Sequence, residues 1–167
     1  MADHTYRLCL MLYLTIRHQG LSVDPYKCIQ LALLHDLAEC LIGDITPHDG
    51  ISPQEKRRLE VDAFDRLLKV LDDPELRALW QDFHCGESKE AMLVREFDYL
   101  ETLFQALEYE QDHRLVRDEL QEFWNVAEER VNSAVGQEVL QCLRSQRAAT
   151  GIDGRSRTFL ESTGGNQ

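Results

Sequence analysis

Apolar residues recur at intervals of three and four along most of the chain, which is the spacing of one face of an α-helix. The longest stripe of this kind includes Leu93, Phe97, Leu100 and Leu107. No stretch of useful length alternates between apolar and polar residues, as a half-buried β-strand would. The pattern therefore predicts an all-α fold.

Capping and turn residues divide this pattern into separate helices. The Asp-Pro pair at 24–25 combines an N-cap with a proline in the first turn, and the SPQE sequence at 52–55 matches a capping box. Asp3 is expected to cap the first helix. Gly20 and Gly43 fit the left-handed residue that follows many helices. We predict a bundle of about six to seven helices, over residues 3–18, 25–43, 53–71, 74–83, 88–110, 114–131 and 133–149.

The length of 167 residues is sufficient for one domain with a sizeable core, and hydrophobic residues make up 43% of the chain. No linker separates the predicted helices, so we expect one domain over residues 1–149. The tail over residues 150–167 is polar and rich in glycine, and we expect it to be disordered.

The charge balance limits the classes of partner. Acidic residues outnumber basic ones by 30 to 18, which gives a formal net charge of −12. Such a surface repels polyphosphate backbones, so we do not expect a nucleic acid polymer as the main partner. A small anionic ligand is still compatible, because a metal ion and one or two basic groups can override the overall field. Acidic runs such as Glu108, Glu110 and Asp112 are expected to be solvated faces.

The cysteines and the apolar run near the start of the chain indicate a cytoplasmic protein. The five cysteines are an odd number without CxxC spacing, so they predict free thiols in a reducing compartment. The apolar run over residues 8–16 is too short to span a bilayer. Since Asp3 precedes it and Arg17 follows it, we predict a core helix there and no membrane association.

The adjacent residues His35 and Asp36 lie in the middle of an apolar segment, LALLHDLAECLIGD. Glu39 follows His35 by one helical turn, and Asp44 lies just past the predicted end of the helix. Ionisable groups in so apolar a segment are costly to bury without compensation. A bound cation would compensate them by taking imidazole and carboxylate groups as ligands. The alternative is a hydrogen-bonded core histidine beside a capped carboxylate.

Two ligands do not hold a catalytic metal ion, so further ligands must come from elsewhere in the chain. His4 opens the first predicted helix with an apolar face behind it. Asp98 lies inside the apolar stripe of the long helix, where a carboxylate needs a partner. Asp98 is therefore a candidate fourth ligand. The alternative is an ion pair with Arg95, three residues earlier, and the sequence leaves that choice open.

Three elements of the sequence together resemble a known family: ADHTYR at 2–7, HDLAECLIGDITP at 35–47, and Asp98 with the LETLFQALEYE that follows at 100–110. Over roughly residues 2–130 the chain is similar to the HD-domain superfamily of metal-dependent phosphohydrolases, and within it to the 5′-deoxynucleotidase branch. The resemblance implies an all-helical HD bundle and a homodimer. It also implies an enzyme that hydrolyses (deoxy)nucleoside 5′-monophosphates to nucleoside and phosphate.

The resemblance further implies roles for individual residues. Four side chains are expected to hold the metal ion, namely His4, His35, Asp36 and Asp98. Glu39 matches the acidic residue that orients or deprotonates the attacking water. Asp44 matches a residue linked to catalysis and substrate contact. Thr46 and Arg95 are the other substrate contacts that the resemblance suggests. The chemistry of the site adds Arg7 as a cation that could neutralise negative charge developing on the phosphate.

A ligand set of two imidazoles and two carboxylates favours manganese, cobalt, iron or zinc over calcium, with magnesium as an alternative. Relatives carry a further N-terminal segment before the element at 2–7, and that segment helps to hold the nucleotide. We therefore expect reduced or altered nucleotidase activity. Two other functions stay open: an HD hydrolase of another nucleotide phosphate, and a catalytically silent helical protein that binds nucleotides or partner proteins.

Overall fold

In the computed structural model, the described residues are 2–45, 49–86, 88–112 and 117–149, and they form helices and no strand. The predicted all-α class is confirmed. Within the described ranges the helices are α1 (Ala2–Gln19), α2 (Pro25–Leu34), α3 (Glu39–Ile42), α4 (Pro53–Leu71), α5 (Pro74–Cys85), α6 (Lys89–Gln111), α7 (Gln121–Arg130) and α8 (Ala134–Ala149), with a 3-10 turn over Arg117–Leu120.

The described residues divide into two compact units, and the boundary between Arg95 and Glu96 lies within α6. The first unit contains α1 to α5 and the beginning of α6. The second contains the rest of α6, the 3-10 turn, α7 and α8. The prediction that residues 1–149 form one domain stays a prediction. The tail over 150–167, which was expected to be disordered, lies outside the described residues.

Local capping explains where several helices begin. The Asp24 carboxylate accepts hydrogen bonds from two backbone N–H groups in the first turn of α2. The Ser52 hydroxyl accepts one from the Glu55 N–H at 3.2 Å at the start of α4. Both N-caps are confirmed, but the Glu55 carboxylate binds the Arg58 guanidinium, so only the Ser52 half of the predicted capping box is observed. The expectation that Asp3 caps α1 is wrong, because the helix begins at Ala2 and Asp3 lies in its first turn, where its charge still complements the helix dipole.

The described helices show no membrane-spanning segment: none is long and apolar enough to cross a bilayer. Four cysteines, Cys9, Cys28, Cys40 and Cys142, are free thiols. Burial raises the pKa of the Cys28 thiol to about 12, so this side chain stays protonated and acts as a small apolar residue.

Two apolar clusters organise the first unit. In the first, α1 packs against α2, with Leu8, Leu12 and Leu31 fully buried. In the second, the rings of Phe64 in α4 and Trp80 in α5 stack with centroids 4.5 Å apart. Ala38, Ala63 and Leu68 belong to the same cluster. Since Ala38 lies between α2 and α3, this second cluster anchors the turn after α2 onto α4 and α5.

A buried ion pair connects α6 and α8 in the second unit. The Arg147 guanidinium donates through Nε and Nη2 to both Glu110 oxygens, at 3.0 and 2.7 Å. It also lies 4.4 Å from the centroid of the Trp124 ring. Glu110 is only 1% exposed, so the prediction of a solvated acidic face is wrong at this position. A bidentate arginine compensates the buried carboxylate in place of water.

Replacing Arg147 with methionine is expected to lower the free energy of unfolding by about 3–5 kcal/mol, because the buried Glu110 carboxylate loses its partner. The double variant with Glu110→Gln should recover part of this loss. Chemical denaturation measures both. The control is Arg144→Met, which removes an exposed pair with Glu128 and should cost less than about 1 kcal/mol. Equal losses in the two single variants would contradict the prediction.

His84, in the last turn of α5, is a half-buried imidazole that packs against Trp80. Its ring centroid lies 4.0 Å from that of Trp80, and its Nε2 is buried without a hydrogen-bond partner among the described residues. Burial, and then electrostatic interactions with Arg57, His35 and Arg95, lower the pKa of His84 to about 4. The folded protein therefore holds this imidazole neutral over a pH range in which an unfolded chain would protonate it.

His84 should consequently make the fold less stable in acid. Between about pH 6.5 and about pH 4 the unfolded chain binds a proton at this residue that the folded chain does not, so stability falls as the pH is lowered through that window. His84→Phe keeps a ring against Trp80 and removes the titration. When the pH is lowered from about 7.5 to about 4.5, the free energy of unfolding should fall in both proteins. The fall should be smaller in the variant than in the parent, by on the order of 1 kcal/mol, as measured by urea unfolding. His18→Gln, at an exposed position, should behave like the parent.

Candidate metal centre

The backbone changes its hydrogen-bonding pattern at the His35 and Asp36 pair. α2 ends at Leu34, residues 35–38 form successive turns, and α3 contributes only the turn Glu39–Ile42. The N–H of Leu37 donates to the Leu34 carbonyl at 3.1 Å, and that of Glu39 to the Asp36 carbonyl at 2.9 Å. These are i to i−3 bonds, which wind the chain more tightly than an α-helix. The prediction of one continuous helix over 25–43 is therefore wrong.

A side chain explains the break. The Nδ1 atom of His35 lies 2.8 Å from the carbonyl oxygen of Ala32. In a continuous α-helix that carbonyl would accept the N–H of Asp36. Here the imidazole Nδ1 group donates to this acceptor, and the backbone continues in tighter turns.

Three candidate ligands of unit 1 converge at this point. His35 Nε2 lies 2.9 Å from Asp36 Oδ2 and 3.3 Å from His4 Nε2, and His4 Nε2 lies 3.7 Å from Asp36 Oδ2. Helix α1 supplies His4, and its packing against α2 brings the two histidines together although 31 residues separate them. His35 is 5% exposed, whereas the side chains of His4 and Asp36 are 23% and 28% exposed. The cluster is therefore buried on the His35 side and open to solvent on the side of His4 and Asp36.

The chemistry of these side chains fits a divalent cation. The Ala32 carbonyl can only accept a hydrogen bond, so His35 carries its proton on Nδ1 and presents the Nε2 lone pair to the cluster. Histidine ligands in metal sites are commonly held by a backbone carbonyl in this way. One ligand atom from each of His4, His35 and Asp36 lies within 4.8 Å of the others. Lone pairs this close repel one another unless a cation or a proton lies between them.

Glu39 lies at the start of α3, near the cluster. Burial, together with the negative charges of Asp36 and Asp44, raises the pKa of Glu39 to about 7, while Lys56 and His35 act in the opposite direction. A carboxylate with this pKa can accept or release a proton near neutral pH. Asp44 is exposed and follows Gly43, whose φ of +76° lies in the range that favours glycine.

Two further residues near the cluster come from α4, and the sequence reasoning did not identify them. Lys56 Nζ donates to the Ile45 carbonyl at 2.7 Å and lies 3.8 Å from Glu60 Oε1. Burial raises the pKa of Glu60, and the Asp36 charge contributes to that rise. The sequence did contain an indication of their position. Lys56 and Glu60 precede the buried Phe64 at four-residue spacing, so all three side chains lie on the same face of α4.

The remaining predicted site residues lie in several places. Arg95 is the last residue of the first unit and lies on α6. Its guanidinium donates through Nη2 to the Gly86 carbonyl at 3.5 Å and so reaches the C-terminal end of α5. Arg7 is part-buried on α1, three residues after His4. Asp98 is part-buried on α6 in the second unit, and its role as a ligand stays a prediction. Thr46 lies outside the described residues.

Comparison with curated proteins finds relatives that are named as 5′-deoxynucleotidases. The chain is 47% identical over 113 residues to 5′-deoxynucleotidase HDDC2 of Danio rerio, a match covering 66% of the chain and 55% of that protein. It is 38% identical over 128 residues to the Homo sapiens protein of the same name, covering 74% and 60%. The chain thus spans a little over half the length of these relatives.

Comparison with solved structures finds the same architecture. The crystal structure of the PH0347 protein from Pyrococcus horikoshii OT3 matches with a TM-score of 0.69 and 28% identity, covering 88% of this chain and 82% of that one. A conserved hypothetical protein from Pyrococcus furiosus matches with a TM-score of 0.68, 28% identity and the same coverage. The family model described as HD domain matches residues 1–139. The chain therefore belongs to the HD domain family, whose fold implies a divalent metal ion.

Proposed function

We propose that this chain is a metal-dependent phosphomonoesterase that hydrolyses (deoxy)nucleoside 5′-monophosphates to nucleoside and phosphate. The observation that carries the proposal is the convergence of His4, His35 and Asp36, with Glu39 close by. Curated relatives bearing the name 5′-deoxynucleotidase support the choice of substrate. The acidic charge of the chain favours a small nucleotide over a nucleic acid polymer.

His4, His35 and Asp36 would hold the ion, with Asp98 as the proposed fourth ligand. Nitrogen and oxygen ligands together favour manganese, cobalt, iron or zinc, with magnesium as an alternative. When bound, such an ion supplies a Lewis acid that polarises a phosphate oxygen and makes a nearby water more acidic.

The side chains of the protein would carry the proton transfers and the orientation of the substrate. A Glu39 carboxylate oxygen would take a proton from water as the water oxygen attacks phosphorus. The bond from phosphorus to the 5′ oxygen then breaks, and that oxygen would take up a proton from solvent to give the nucleoside. Asp44 and Thr46 would contact the nucleotide, and Arg95 and Arg7 would neutralise negative charge that develops on the phosphate.

Homodimer formation and a cytoplasmic location also stay predictions. The first comes from the family resemblance. The second comes from the absence of a disulfide pattern in the sequence.

The metal site can be tested without any activity measurement. Titration calorimetry of the metal-free chain with Mn²⁺ should give one site per chain with micromolar or tighter affinity. His35→Gln and Asp36→Asn should each weaken binding at least about 10–100-fold, because each removes a ligand. The control is His18→Gln, an exposed histidine of α1 outside the cluster. Unchanged Mn²⁺ affinity in both ligand variants would overturn the site assignment.

Phosphate release from a panel of nucleotides tests the reaction. Free phosphate from deoxynucleoside monophosphates supports the proposal. Pyrophosphate or triphosphate as product would favour another nucleotide hydrolase, and metal binding without turnover would favour a silent binding protein.

Glu39→Gln should retain Mn²⁺ binding and lower kcat by about 10²–10⁴-fold, since it removes the general base. Glu75→Gln, an exposed position on α5, is the matched control.

The pH profile of the parent enzyme should carry the signature of Glu39. Because the base must be ionised, activity should rise with pH through the pKa of Glu39, which is about 7 in the metal-free protein. A cation nearby favours the ionised carboxylate, so metal loading should move this acidic limb to lower pH. The limb should be absent from the residual activity of Glu39→Gln.

A further inference from the structure

Lys56 connects α4 to the segment that carries Asp44. Its ammonium group donates to the carbonyl oxygen of Ile45 at 2.7 Å, in a part-buried setting. Ile45 follows Asp44 directly and is itself 9% exposed. The Glu60 carboxylate, 3.8 Å from Nζ and one turn further along α4, helps to orient the same ammonium group.

This bond matters because the backbone immediately before Asp44 is conformationally permissive. Gly43 precedes it with a φ of +76° and lacks the side chain that would limit its rotation. The Asp44 side chain is exposed and so gains little from packing. Lys56, by contrast, lies on a well-ordered helix, since Ser52 caps α4 and Phe64 anchors this helix in the core.

The same ammonium group also affects the electrostatics of the cluster. It lowers the pKa of Glu39, against the burial and the Asp36 and Asp44 charges that raise it. It acts in the same direction on Glu60. Lys56 is thus a cation that stabilises the ionised carboxylates around the centre.

We infer that Lys56 is a positioning residue, which holds Asp44 beside the metal centre by binding the Ile45 carbonyl. The inference rests on the proposed function in so far as Asp44 takes part in the reaction. Lys56 does not need to touch the substrate, since it acts through the peptide that follows Asp44. This role predicts an effect on the rate of the reaction and little effect on metal affinity.

The test is Lys56→Met, which keeps the aliphatic stem and removes the charge and the hydrogen bond. For deoxynucleoside monophosphate hydrolysis, kcat should fall by at least about 10-fold with KM within about 3-fold, because a displaced catalytic group loses its orientation. The acidic limb of the pH profile should move up by about 0.5–1 unit, because Glu39 loses a positive neighbour while Asp36, Asp44 and His35 remain. Mn²⁺ affinity should stay within about 3-fold of the parent, since no ligand is lost.

Two further variants separate positioning from simple stability. Lys69→Met removes an exposed lysine from the last turn of the same helix and should leave kcat and the pH profile unchanged. Lys56→Arg restores a cationic donor and should recover a substantial part of the lost kcat. If Lys56→Met keeps kcat within twofold of the parent, or if its loss only follows the fraction of unfolded protein, the inference is overturned.

Hydrogen exchange keeps this test independent of the proposed function. In Lys56→Met, the peptide that contains Asp44 and Ile45 should exchange at least about 10-fold faster than in the parent or in Lys69→Met, because a restraint on its backbone is lost. Unchanged exchange in that peptide overturns the inference. If the parent chain turns over no nucleotide while exchange accelerates in Lys56→Met, the proposed function fails and the positional role of Lys56 stands.

Discussion

The hydrogen bond between His35 Nδ1 and the Ala32 carbonyl is the contact on which the candidate metal centre depends. It removes from α2 the acceptor that the Asp36 N–H would use in a longer helix. In a continuous helix, neighbouring side chains point about 100° apart around the axis. At this break Asp36 Oδ2 lies 2.9 Å from His35 Nε2, so the two neighbouring side chains reach the same point. The same bond fixes the imidazole tautomer, so one interaction sets both the direction and the chemistry of the ligand.

The balance of charge around this centre follows from that geometry. Burial of Glu39, together with the nearby charges of Asp36 and Asp44, disfavours its ionised form and raises its pKa to about 7. Lys56 offsets part of this repulsion and also binds the backbone after Asp44. Opposing effects thus set the pKa of Glu39: burial and two neighbouring carboxylates raise it, whereas Lys56 and His35 lower it.

The sequence predicted those parts of the structure that depend on local interactions. The Asp24 and Ser52 caps and most helix positions follow from spacing and from groups within a few residues, and the two caps are confirmed. The helix predicted over 114–131 differs, because a 3-10 turn over Arg117–Leu120 precedes α7. The break at His35 was missed, because periodicity does not reveal a side chain that competes for a backbone carbonyl. The Glu110 prediction failed for a different reason, since its partner Arg147 lies 37 residues away and nothing local marks the pair. His4 was inferred from chemistry and family resemblance, and the packing of α1 on α2 brings it to the pair.

An acidic chain that binds a nucleotide must solve an electrostatic problem, and the arrangement of this site points to how it would do so. The formal net charge is −12, and the cluster itself adds several carboxylates at the point where a phosphate would lie. Arginine side chains can offset only part of that repulsion. A divalent cation among His4, His35 and Asp36 would reverse the local sign. Affinity for the ion and affinity for the nucleotide would then be thermodynamically coupled, each increasing the other by the same factor. In the proposed enzyme the metal would therefore determine substrate binding as well as the reaction, and a metal-free chain would repel the phosphate monoester that the loaded chain hydrolyses.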